Sequence, residues 1–186
     1  MHFLHSYNRL LSRVTAPASE PVSLDEAKHY LRVTMDDDDT LITDLIVSAR
    51  MSAENWLRRS LMTQAWKLGY DDCLPECVSL PMGPVSAITS VTIVNQDHST
   101  QVISTSLYKL NSAKNRLLMT SPVQGFQVEI LYQAGYGSMV SSVPAPIRQA
   151  MLCHISSMYD NRGLAGESGI PEQAISLYLP FREVML

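Results

Sequence analysis

No apolar run in these 186 residues approaches the roughly 18 needed to cross a bilayer, so no membrane partner is expected. Cysteine is scarce as well. Cys73, Cys77 and Cys153 cannot close a disulfide framework, and the CxxxC pair has no second Cys or His pair at zinc spacing behind it. Reduced thiols, with no metal and no cofactor, are the expectation. Positive charge is in the minority: 14 Lys and Arg against 18 Asp and Glu give a net charge of −4. Without a clustered basic surface to collect phosphates and release counterions, a general nucleic-acid binder is excluded. The residue patterns of catalysis are missing too. There is no GxSxG elbow and no HExxH, and the histidines at 2, 5, 29, 98 and 154 are scattered. An enzyme is therefore not expected. The opening MHFLHSYNRLLSRV is broken by Asn8, Arg9 and Arg13 before an apolar export segment develops, which implies folding in a cytoplasm.

What is present reads as helices, then strands, then helices. Ser23 with Glu26 three positions on makes a capping box, and Leu24, Ala27 and Leu31 repeat at helical spacing, so a short helix should run to about Val33. The aspartates at 36–39 open a longer helix whose stripe is Leu41, Leu45, Ala49, Ala53, Trp56 and Leu57, widened by Ile42 and Ile46. Four consecutive aspartates lack the alternate ligands, turn glycine and distal glutamate of a calcium loop. Carboxylates at a helix start, favoured by its unpaired N–H groups, account for them.

From Met62 the period changes to two. Gln64, Trp66, Leu68 and Tyr70 share one strand face, further strands are expected at 78–80, 87–94, 101–104, 107–110, 116–119 and 127–132, and Gln96-Asp97-His98-Ser99 is a turn. About six short strands imply an antiparallel sandwich or open barrel. The AGYGS segment lacks the third glycine of a dinucleotide loop and the Gly-Lys of a triphosphate loop, so Gly135 and Gly137 are read as ending the last strand.

A third helix starts near Pro144 and Pro146, with Ile147, Ala150, Met151, His154, Ile155 and Met158 on its apolar face; His154 is read as a core residue. Gly163, Gly166 and Gly169 mark a loop. Pro171 then opens a last short helix carrying Ala174, Ile175, Leu177 and Tyr178, which Pro180 stops.

The ordered segments EPVSLDEAKHYLRV, DDDDTLITDLI, LMTQAWKL, LPMGPVSAITSV, VEILYQAGYG, VPAPIRQAMLCHISSMYDNR and LYLPFR resemble the head-tail connector, or adaptor, family of long-tailed phages, prophages and gene transfer agents. The resemblance runs over residues 21–182 and implies an α+β fold: a four-helix bundle (21–61 and 143–182) with the antiparallel β unit (62–137) inserted between the second and third helices. Residues 1–20 form an unread N-terminal extension and 183–186 a short tail. It further implies a structural virion protein at the head-tail interface, assembled in the host cytoplasm. About a dozen copies would form a homo-oligomeric ring under the portal protein, extend the DNA channel and receive a tail-completion or tail-terminator protein. Genomic DNA would pass without sequence-specific binding, and an acidic chain suits this, because a basic lumen would hold phosphates. With catalytic, cofactor and metal residues all absent from the reading, the candidate site is a surface. Leu177, Tyr178, Phe181 and Arg182 form a short amphipathic end able to dock on portal, unless that segment completes the bundle. Another virion or tail-completion protein, or a small hydrolase with a pocket of distant polar residues, is the alternative.

Overall fold

The computed structural model describes residues 9–113, 115–161 and 169–183. Gly163, Gly166, Arg162 and the tail beyond Glu183 lie outside them, as does most of the opening segment. The chain forms two compact units, one of β structure up to Ala16 and over Thr63–Gly135, the other helical from Pro17 to Met62 and again from Tyr136.

Among the described residues the β unit has eight strands rather than about six. β1 (Arg9–Thr15), β2 (Gln64–Leu74), β8 (Val123–Ala134), β4 (Val85–Val94) and β5 (Thr100–Val102) make one antiparallel sheet in the order β1-β2-β8-β4-β5. β3 (Cys77–Ser79), β7 (Arg116–Met119) and β6 (Tyr108–Leu110) make a second, in the order β3-β7-β6. Both sheets contribute to one core that includes Leu68, Val91, Val128, Ile130 and Tyr132 from the first and Val78, Tyr108 and Leu117 from the second. Two expectations change. Residues 9–15, read only as an extension, supply an edge strand whose Leu11 packs on that core. The region around Gly125, read as a loop, belongs to β8. A Cβ at Gly125 would lie 2.4 Å from Ile93 Cγ2, so glycine is what lets β8 pass β4 this closely. The 96–99 turn forms as read: the Asn95 N–H donates to Ser99 O at 2.9 Å, and Asp97 Oδ1 accepts from the Ser99 N–H at 2.9 Å and its hydroxyl at 2.6 Å.

The helical unit holds α1 (Leu24–Leu31), α2 (Asp39–Leu57), α3 (Ala145–Asp160) and α4 (Glu172–Tyr178). Ser23 caps α1 by accepting from the Glu26 N–H at 3.1 Å, but the Glu26 carboxylate turns away to Arg148 Nη2 at 2.5 Å, so only half of the capping box closes. α1 ends two residues earlier than its apolar pattern suggests, and α2 ends at Leu57. Arg32 and Arg58 stop them at φ of 58° and 56°, positions where glycine is the usual marker and its absence hides the boundary.

One core spans all four helices. On α2 its axis is Ile42, Ile46, Ala49, Ala53 and Leu57, while Leu41 and Leu45 are only partly buried; the stripe is rotated from the one read in the sequence. On α3, Ile147, Ala150, Met151, His154 and Ile155 are buried as expected, joined by Leu152, with Met158 at the margin. Gly135 and Gly137 take φ of 135° and 157°, and a Cβ at Gly137 would lie 2.5 Å from Ser142 Oγ, so the glycines serve the chain's exit from β8.

Candidate functional site

The C-terminal segment is seated on the helical core. Pro171 precedes α4, Ala174 and Tyr178 are completely buried, and a 3-10 turn over Leu179–Phe181 carries the chain onward. Tyr178 lies against Trp56 with ring centroids 6.0 Å apart, and the Arg182 guanidinium covers the same indole at 4.8 Å, so Trp56 is the platform for the whole end. Backbone bonds complete the attachment: Arg59 Nε donates to Phe181 O at 2.6 Å and the Glu183 N–H to Leu57 O at 3.0 Å. Burial pushes the Tyr178 phenol above its ordinary pKa and keeps it neutral.

The four residues singled out in the sequence thus divide. Tyr178 fills the core, Leu177 and Phe181 pack partly against it, and Arg182 is exposed. The reading missed Trp56 and Arg59, which only the fold brings to this segment. It also did not single out Leu179, which is 61% exposed.

Three cations, Arg50, Arg148 and Lys28, anchor the rest of the helical unit. The buried Arg50 donates from Nε to Glu20 at 2.7 Å and from Nη1 to Glu54 at 2.9 Å, and the other Glu54 oxygen accepts the Leu61 N–H at 2.9 Å. Arg148 ties α3 to Glu26 and to Pro21 O. Lys28 reaches Asp36 at 2.7 Å and Asp39 at 2.6 Å, while the Tyr159 hydroxyl donates to Asp38. The aspartate run is therefore tied by side chains of α1 and α3 as well as by its place at a helix start. Lys28 holds the Asp36 carboxyl below its ordinary pKa by its hydrogen bond and charge, and is itself raised in return. His154 is buried among apolar groups with neither ring nitrogen hydrogen-bonded among the described residues, and burial lowers its pKa from the ordinary 6.5. Among the described residues no three His, Cys, Asp or Glu side chains group as a metal site, and Cys73, Cys77 and Cys153 are free thiols. Arg50, Arg148 and Lys28 thus fasten segments of the helical unit to one another.

Residues 21–118, more than half of the chain, match the model of the phage gp6-like head-tail connector protein family. The chain belongs to that family. The matched stretch runs from just before α1 through most of β7. No curated protein sequence matches this connector. Solved structures similar to it include a chain from the "Neck of empty GTA particle computed with C6 symmetry" and one from the "Virion of native gene transfer agent (GTA) particle". Each has a TM-score of 0.82 at 20% identity over 95% of this chain and 97% of that one. A chain from the "Neck of native GTA particle computed with C12 symmetry" aligns over the same shares at 20% identity with a TM-score of 0.75. The likeness extends the shared fold over α3 and α4, beyond the family match.

Proposed function

We propose that this connector is a structural virion protein, without catalytic activity, that forms a ring of about a dozen copies beneath the portal, extends the DNA channel and receives the tail-completion or tail-terminator protein. The observation that carries this reading is the family match over residues 21–118. The four helices act as the ring-forming bundle (21–61 and 143–182) and 62–137 as its inserted β unit. Assembly takes place in the host cytoplasm, and the finished protein sits at the head-tail interface of the particle. Genomic DNA passes through the ring without sequence-specific contacts, in keeping with the net charge of −4.

The C-terminal end is the portal-docking surface in this reading. Arg182 and Leu179 face outward, Leu177 and Phe181 flank them, and Tyr178 contributes from beneath by holding the segment on Trp56. Native mass spectrometry of the chain with portal rings tests the assembly: one defined high-order species is expected, and a persistent monomer or dimer contradicts it. Docking is tested by co-sedimentation with portal rings. Arg182→Ala combined with Leu179→Ser changes exposed groups and should lower affinity at least tenfold, about 1.4 kcal/mol, with an unchanged circular dichroism spectrum. Unchanged affinity moves the docking surface elsewhere.

A further inference from the structure

The five-stranded sheet ends in two edges that differ in sequence but not in direction. Successive neighbours are antiparallel across four pairings, so β1 and β5, at opposite ends of the order, run the same way. The registers also define one row across the sheet. Leu10 pairs with Gly69, Gly69 with Glu129, Glu129 with Thr92, and Thr92 with Val102. Paired residues in an antiparallel ladder project to the same face, and no bulge interrupts this row, so Leu10 and Val102 stand on one face at its two ends, roughly 19 Å apart at the usual strand spacing. Both are 67% exposed. An apolar side chain at each open edge, in the same row, is the pattern that proteins ordinarily avoid on an unprotected sheet.

The edges are complementary in charge. β1 carries Arg9 and Arg13 and no acid. At the other edge, the hairpin from Asn95 to Val102 carries Asp97 and no Lys or Arg, and its bonds to Ser99 hold the Asp97 carboxyl below its ordinary pKa, keeping it ionised. Two unlike edges that run in the same direction meet in parallel, through a heterologous contact. They pair by rotation about an axis along the strands, which is the head-to-tail contact that closes a ring.

We propose that β5 of one copy receives β1 of the next in parallel, so that the five-stranded sheets join edge to edge around the connector ring, with Leu10 against the neighbour's Val102 and Arg9, at the start of β1, toward the end that carries the Asp97 hairpin. This rests on the ring reading above and names the partner as a second copy of this chain. The test uses the full chain, with Cys73, Cys77 and Cys153 changed to Ser, carrying Leu10→Cys and Val102→Cys together, assembled with portal rings and oxidised. A ladder of covalent oligomers up to the full ring is expected from the double variant alone, because only adjacent strands bring the two thiols within disulfide reach of about 7 Å between Cα atoms. Covalent dimers from either single variant would mean like edges meet, and would overturn the proposal. In the chain with its native cysteines, Val102→Lys sets like charge against the basic edge, and native mass spectrometry should show at least a tenfold loss of the high-order species. A ring that forms without a ladder and tolerates Val102→Lys overturns the edge contact and leaves the ring reading standing; absence of any ring overturns both.

Discussion

Among the described residues, the helical unit buries Arg50, Glu54, Ser60 and His154, whereas the β unit buries a single polar side chain, Gln64. The difference follows from how each unit satisfies its backbone. The ladders of the two sheets pair strand N–H and C=O groups with one another, so the core between them can be apolar throughout. The helical unit has to fasten non-helical stretches, around Glu20 and from Arg58 to Met62, to short helices, and it does so with charged side chains that reach across. Arg50 holds Glu20, and Glu54 holds the Leu61 N–H. Such contacts fix position more than they add stability, since desolvation offsets much of their attraction. They also make the helical unit sensitive to loss of the Arg50 or Glu54 charge, because the partner would stay buried alone.

The two tryptophans fall one in each unit, Trp56 on α2 and Trp66 on β2, so Trp66→Phe leaves a fluorescence reporter of the helical unit and Trp56→Phe one of the β unit. The sharpest challenge to the comparison is Arg50→Met. It leaves Glu54 buried without its cation and should destabilise the helical unit by about 3 to 5 kcal/mol in urea unfolding. The β-unit transition should stay in place, and an equal shift in both would erase the distinction. Next comes the rotated stripe. Ile46, 3% exposed, should cost about 2 to 5 kcal/mol as Ile46→Ala, and the partly buried Leu45 about half as much as Leu45→Ala. Equal losses would restore the stripe read from the sequence.

The smallest expected effect is the pH response. His154 is held neutral in the folded state because burial lowers its pKa below 6.5, so below pH 6.5 the unfolded chain binds a proton that the folded chain does not. Stability of the helical unit is full above that value and declines as pH falls, by at most about 1.4 kcal/mol per pH unit, until the folded-state pKa is reached. Asp36 acts in a lower window: its folded pKa is depressed, so its contribution is present above the ordinary carboxylate pKa and is lost as pH falls through the folded value. His154→Met should flatten the slope between pH 7 and 5 in the helical reporter and change nothing in the β reporter. A slope that survives the substitution assigns the effect to another group.

The repeating patterns were legible in the sequence because they are local. Ser23 announced α1, Pro144 and Pro146 announced α3, the alternation over 64–70 gave β2, the β-branched run over 87–94 gave β4, and Gln96-Asp97-His98-Ser99 gave the hairpin turn. Boundaries without a local marker were not. Arg32 and Arg58 end helices in a conformation usually left to glycine, and Gly125 looked like a loop residue until the approach of Ile93 explained it. β1 was unread because seven residues with only a weak alternation become a strand when β2 offers an edge.

The candidate surface shows the same division. Composition and order in LYLPFR marked the C-terminal segment as amphipathic, and the run of matching segments placed the chain among head-tail connectors. Which of its side chains are buried and which are exposed depended on Trp56, where Tyr178 and Arg182 meet, and on Arg59, which reaches the Phe181 carbonyl across a separation of 122 positions. The sequence by itself determined the helices and most of the strands, the acidic balance and the family, because spacing and charge are properties of neighbours along the chain. The tertiary structure alone decided that Tyr178 is core and Arg182 is surface, and that Leu10 and Val102 end one row, because burial and register are set by residues that meet only after folding.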